Sequence, residues 1–236
     1  MTRRVSIVIA GGLGIVLMGV GPARPASCPP DAVSVGPTCV DRYEESSWAV
    51  PQPPAKGLVK RIAQGKATRP DLEGAGAVQL GMYGSTAVPA PSAVVYALSI
   101  AGVPPSLASW YGAQQACARS GKRLLTNEEW ERAAAGTPDP GPGGSSGSEG
   151  CNHYFDWPPY DAGSRSECVS SWGAYDMVGN FGEWVADWVF PQPADFDPTV
   201  APAIHPIIDG IAGLHRPEPR YFAEDVSDGI GYRCAR

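Results

Sequence analysis

The chain lacks an apolar run long enough to span a bilayer comfortably, a basic tract, a CxxC pair and any clustered histidines. Each absence removes a class of function. A membrane helix needs about 20 apolar residues, whereas the uncharged apolar run near the start, Val5 to Val20, has sixteen residues, four of them glycine. With a net charge of −6 and no run of lysine or arginine, binding to nucleic acid or to an anionic membrane has no electrostatic support. Without CxxC, thioredoxin-like redox chemistry and cysteine-based zinc sites drop out. His153, His205 and His215 share neither i,i+4 nor HxH spacing, and read most simply as solvated loop residues. No G-x-S-x-G stands as an elbow between a strand and a helix pattern, and there is no glycine-rich phosphate loop and no internal repeat, which argues against a hydrolase nucleophile and against nucleotide binding.

What is present begins with a secretory pattern. A basic start, "MTRR", precedes the apolar run, Pro22 breaks it, and Ala23, Ala26 and Ser27 follow. Residues 1–27 therefore read as a signal peptide for export to the periplasm or beyond the cell. Cys28 also raises a lipoprotein reading, but Pro25 in "PASC" stands where such a signal wants an aliphatic residue. The remaining 209 residues carry 15 basic and 24 acidic side chains, a net charge of −9, and suit one domain over 28–236. With 29 glycines and 25 prolines in the chain, turns should outnumber long helices.

Six cysteines in an oxidising compartment read as three disulfides, among 15 possible connectivities. Proximity favours Cys28–Cys39 and Cys151–Cys168, which leaves Cys117–Cys234. That last closure constrains the unfolded chain most, on the order of 4–5 kcal/mol in the entropy model.

Val33, Val35, Val40 and Tyr43 suggest two short strands around the Gly36-Pro37 turn. Residues 51–92 show little period and read as a long loop with one weak strand. "SAVVYALSI" (Ser92 to Ile100) is a strand. A helix follows, N-capped by Ser106, with Leu107, Trp110, Ala113 and Cys117 on one face and Gly121 ending it. A second helix opens on the capping box Thr126-x-x-Glu129, buries Trp130, Ala133 and Ala134, and closes at Gly136. Residues 137–150 form a second long loop by composition. Two short helices among strands and much irregular chain point to an α+β fold. Glu44-Glu45 and Glu128-Glu129 read as surface charge.

"DMVGNFGEWVADW", Asp176 to Trp188, packs three acids and two tryptophans around a Gly179-Asn180 turn. It fits a turn between two strands, with Met177, Val178, Trp184 and Val185 inside and the acids at the surface. It also fits a metal loop, since hard cations take carboxylate and carbonyl oxygens together.

Three segments, "CVDRYEES" (39–46), "SWYGAQQACARSGKRLLTNEEWERAA" (109–134) and "GAYDMVGNFGEWVADW" (173–188), with the terminal "GYRCAR", resemble the formylglycine-generating enzyme, or sulfatase-modifying factor, family. The resemblance implies an irregular, loop-rich, C-type-lectin-related fold of short antiparallel strands with two central helices. It implies a calcium ion held through Asp176, Gly179, Phe181 and Glu183, with Trp184 and Trp188 packed in the core. A second calcium site would begin at Asn152. It also implies a central-to-terminal disulfide, matching Cys117–Cys234. The departures are as informative. Formylglycine generation in this family uses two further cysteines before the terminal segment to bind copper(I) and attack a substrate thiol, and no cysteine lies between Asp187 and Gly231. The "RGGSW" strand is missing, and Gly182 stands where tryptophan is common. Copper(I) without thiolates has no suitable soft ligand set.

Two functions follow as expectations. The first is an exported, monomeric binding or structural module, stabilised by calcium and disulfides, whose ligand is a protein, peptide or glycan. The alternative is an oxidoreductase using non-haem iron or copper, with ligands among His153, His205, His215 and the acids.

Overall fold

Two strands flank the Gly36-Pro37 turn: β1 (Ala32–Val35) and β2 (Thr38–Asp41). Onward along the chain lie β3 (Glu45–Val50), α1 (Leu58–Ala63), α2 (Arg69–Gly74), β4 (Val78–Leu80) and β5 (Val94–Ser99). They are followed by α3 (Trp110–Arg119), β6 (Arg123–Leu124), α4 (Asn127–Ala134) and β7 (Gly182–Val189). The last strands are β8 (His205–Asp209), β9 (Ile230–Tyr232) and β10 (Cys234–Ala235). This computed structural model describes residues 27–82, 86–139, 150–152, 159–189, 205–209 and 229–236. The expected signal peptide therefore lies almost wholly outside the described residues, as do most of the 137–150 loop, His153 and His215.

The strands form three small sheets, ordered β1-β2-β10-β6, β4-β3-β5 and β8-β7-β9. The pairings are antiparallel except β7 with β9, which run parallel with Glu183 opposite Gly231. This one pair departs from the all-antiparallel expectation. A parallel pair needs a connection of a dozen or more residues, and the stretch between Val189 and Ile230 supplies that length.

The reading of 51–92 as a long loop with one weak strand misses two helices. Each has only six residues, too short for an apolar period to register. The local signal was present: Thr68 and Asp71 form a reciprocal capping box with Pro70 just inside. Leu58, Ile62 and Leu72 are buried beneath Trp48, Val50, Tyr96 and Leu98 of β3 and β5. Among the described residues the helices thus number four rather than two.

The other two helices are α3 and α4. The first is capped by Ser109, whose Oγ accepts from the Gly112 N–H at 3.2 Å, and not by Ser106. Ser106 has a different task. Its hydroxyl accepts from Ser47 N at 2.8 Å and donates to Leu80 O at 2.6 Å, linking β3 to β4. The second follows the expected capping box, with Thr126 Oγ1 accepting from Glu129 N at 3.2 Å and Glu129 Oε2 accepting from Thr126 N at 3.0 Å. Trp130, Ala133 and Ala134 pack with Val33, Val35, Val40, Met177 and Val185. A second apolar group joins Trp110, Ala113 and Cys117 of α3 to Trp184, Ile230 and Tyr232.

Three disulfides close the structure: Cys28–Cys39, Cys151–Cys168 and Cys117–Cys234, the last across 117 residues. It fastens α3 to the final strand, which lies in the sheet between β2 and β6.

Glu129 offers a test of how α4 is held. Burial opposes its ionisation, but Arg123, the Thr126 N–H and the Thr38 hydroxyl outweigh it and hold the carboxyl down at about 2. The folded pKa lies below the ordinary 4.5, so the stabilisation is complete above that value and is lost as pH falls through 2. Glu129→Gln should therefore lower the melting temperature at pH 7 and converge with wild type as pH falls toward 2. Thr126→Ala should cost about 1 kcal/mol in urea denaturation at neutral pH.

Candidate functional site

The acidic, tryptophan-rich stretch leaves a short bridge between Val169 and Tyr175, turns, and enters β7. Asp176 and Asn180 both hold left-handed backbone, with φ of 57° and 59°, a conformation asparagine and aspartate adopt more readily than other non-glycine residues. Both side chains are spent on fixing the turn. Asp176 Oδ2 accepts from Gly163 N at 2.6 Å. Gly163 is itself left-handed, and a Cβ there would meet the Tyr43 ring at 2.4 Å, so only glycine permits this approach. Asn180 Oδ1 accepts from Tyr160 N and from Asn152 Nδ2, at 2.9 and 3.1 Å, while its amide nitrogen donates to Glu44 Oε2 and Tyr160 O.

Glu44 completes the turn by accepting from Phe181 N at 3.0 Å. Read from sequence as surface charge, Glu44 and its neighbour Glu45 are both fully buried. Burial, with Asp176 and Glu183 close by, pushes the Glu44 carboxyl well above its usual range. Asp176 is likewise raised by burial, to about 6, against the opposing Gly163 N–H and Arg233.

Glu183 is buried rather than facing solvent. Its Oε1 accepts from Arg233 Nη2 at 2.7 Å and Nε at 3.1 Å, and its Oε2 accepts from Trp130 Nε1 at 2.7 Å and Arg233 Nε at 3.2 Å. Arg233, also fully buried, donates further to Asp41 O at 3.1 Å and Tyr175 O at 2.8 Å. Met177, Val178, Trp184 and Val185 are in the core. Trp188 is not. It lies edge-on to Trp110 at 4.9 Å and remains 37% exposed, because β7 has reached the rim of the apolar cluster.

A second buried charge group lies alongside. Lys122 Nζ meets Asp41 at 2.5 Å, Glu45 at 3.4 Å and Asp31 at 3.5 Å, and Arg236 bridges Asp31 and Asp41 at 3.1 Å. Burial works against the Lys122 ammonium, yet the three carboxylates hold its pKa above the ordinary value. Asp41, Glu45 and Cys234 are close enough together to share a metal, but Cys234 is in a disulfide and the lysine already occupies the carboxylates. This cluster is structural.

The calcium expectation fits unevenly. Asp176, Gly179, Phe181 and Glu183 share one buried turn, and Asn152 joins it by accepting the Asn180 N–H at 2.6 Å. Asn152 is 3% exposed and its Oδ1 has no hydrogen-bond partner among the described residues, which suits a cation or a water. Glu183 does not suit one, since both oxygens are already engaged by N–H donors. Among the histidines, His205 opens β8 opposite Val189. All six cysteines are in disulfides, so no thiolate is available. The residues missed from sequence are Glu44, Arg233, Lys122 and Asp41. Their only signal was membership of the motifs "CVDRYEES" and "GYRCAR" and, for Lys122, of the 109–134 segment.

Comparison with known proteins adds a family. Residues 97–236 match the sulfatase-modifying factor enzyme 1-like domain. The chain is 33% identical over 111 residues to the formylglycine-generating enzyme of Thermomonospora curvata, covering 40% of this chain and 36% of that one. It is 31% identical over 156 residues to the inactive C-alpha-formylglycine-generating enzyme 2 of Bos taurus, covering 54% of this chain and 48% of that one. The chain thus spans less than half the length of both relatives. Among solved structures, PvdO from Pseudomonas aeruginosa aligns with a TM-score of 0.40 at 19% identity, over 84% of this chain and 93% of that one.

The indole N–H on Glu183 gives a local test. Trp130→Phe keeps most of the buried ring but removes the donor to Oε2. It should cost about 1–3 kcal/mol in urea denaturation, the expected penalty for a buried charged acceptor losing a partner.

Proposed function

Since this chain belongs to the sulfatase-modifying factor enzyme 1-like domain family, we propose that it is an exported member that does not make formylglycine and serves as a binding or structural module. One observation carries the reading. Six cysteines are present in the sequence and all six are paired. Copper(I) chemistry on a substrate thiol needs soft thiolate ligands, and this chain has none to offer while its disulfides are intact. The bovine relative named as inactive supports the same direction.

Export is supported by the three disulfides, which belong to an oxidising compartment. Among the described residues no helix is long and apolar enough to cross a membrane. The Cys28 sulfur is joined to Cys39, so this bridge and a thioether lipid on Cys28 exclude each other. The C-type-lectin kinship of the fold is part of the proposal, supported by few helices and small sheets. Calcium, when bound, neutralises clustered carboxylates and gathers oxygen ligands. The unpartnered Asn152 Oδ1 is the atom that suits it. For a protein, peptide or glycan ligand, four aromatics are exposed among the described residues, Tyr111, Tyr160, Trp172 and Trp188, of which Tyr111 and Trp188 are both in edge contact with Trp110.

The test is the intact mass of the purified, non-reduced protein after denaturation and thiol alkylation, with turnover assayed on a cysteine-bearing sulfatase peptide supplied with copper(I). The expected result is no alkylation and no formylglycine. Two alkylated thiols with peptide oxidation would refute the proposal. Tightly held iron or copper with oxygen-dependent turnover would favour the oxidoreductase instead.

A further inference from the structure

The Asp176–Glu183 turn gathers three buried carboxylates, Glu44, Asp176 and Glu183, around a single guanidinium, Arg233. An ionised carboxylate accepts at about four lone-pair sites. Three N–H groups engage Glu183: Arg233 Nη2 on Oε1, Trp130 Nε1 on Oε2 and Arg233 Nε shared between both oxygens, every contact at 3.2 Å or less. A calcium ion takes its oxygens at about 2.3–2.6 Å. It would have to enter on the side already held by a positive charge.

Arg233 cannot easily yield that place. Two further N–H groups are bound to Asp41 O and Tyr175 O, and swinging away would strand buried donors and acceptors together. Its backbone is pinned as well, between Tyr232 of β9 and Cys234, which is bridged to Cys117.

We infer that Arg233 is the resident counter-ion of this turn, holding Glu183 in place of a divalent cation, so that the loop folds without calcium at Glu183. The cation is covalently part of the chain and arrives with the last strands. Asn152, which contacts Asn180 and not Glu183, is a separate matter. The inference holds whether or not the chain is catalytic.

The experiment is thermal melting of the full, oxidised chain in chelator and in about 1 mM calcium. Wild type is compared with Glu183→Gln and with the double variant E183Q/R233M. The double variant removes both charges and strands neither, so it keeps the test alive where the single variant does not fold. The expected result is a wild-type melting temperature unchanged by calcium, or a calcium shift that survives undiminished in whichever variant folds. A wild-type calcium shift that is reduced or lost in either variant overturns the inference.

Discussion

A guanidinium with no access to water must find its counter-charge and its hydrogen-bond acceptors inside the fold, and Arg233 finds both. One side chain from the end of the chain reaches Glu183 at the start of β7, the carbonyl of Asp41 at the end of β2, and the carbonyl of Tyr175 just before the turn. Through Glu183 it also reaches α4, by way of Trp130. Removing one partner of a buried pair leaves an uncompensated charge, which costs about 3–5 kcal/mol. Four segments distant in sequence are thereby required to arrive in one arrangement.

The neighbouring residues strengthen the same dependence. Cys234 locks α3 to the last strand, and Arg236 joins Lys122 among Asp31 just before β1, Asp41 of β2 and Glu45 of β3. The final residues therefore lie in the middle of the first sheet, between β2 and β6. A fold with so little regular structure has few long ladders to hold it, and cross-chain ties of this kind do the work that extended secondary structure does elsewhere. They also account for the closed thiol inventory: the cysteines that remain in this chain are all structural.

Much of the scaffold was legible in the sequence, and the part that was not has a common cause. The capping box at Thr126 and Glu129 could be read because both halves are local. So could the turn at Gly36-Pro37, the strand at 94–99 and the three disulfide pairs, which follow from spacing. The helices α1 and α2 were too short to show a period. Glu44 and Glu45 looked like surface charge because their partners lie far along the chain: Asn180 for one and Lys122 for the other. Arg233 went unread for the same reason. Ser106 was taken for a cap because a serine before an apolar helix usually is one, whereas here β3 and β4 claim its hydroxyl. Local chemistry is written locally; buried polar pairs are settled only by the fold.

The central claim is that Glu183 and Arg233 act as one unit on which the turn and the last strands depend. A double-mutant cycle measures it most directly, using urea denaturation of wild type, Glu183→Gln, Arg233→Met and the combination. The expected result is a double variant less damaged than the two singles together, with a coupling on the order of 2 kcal/mol, within the range seen for groups in direct contact. Effects that add to within about 0.5 kcal/mol, as for independent sites, would contradict the account.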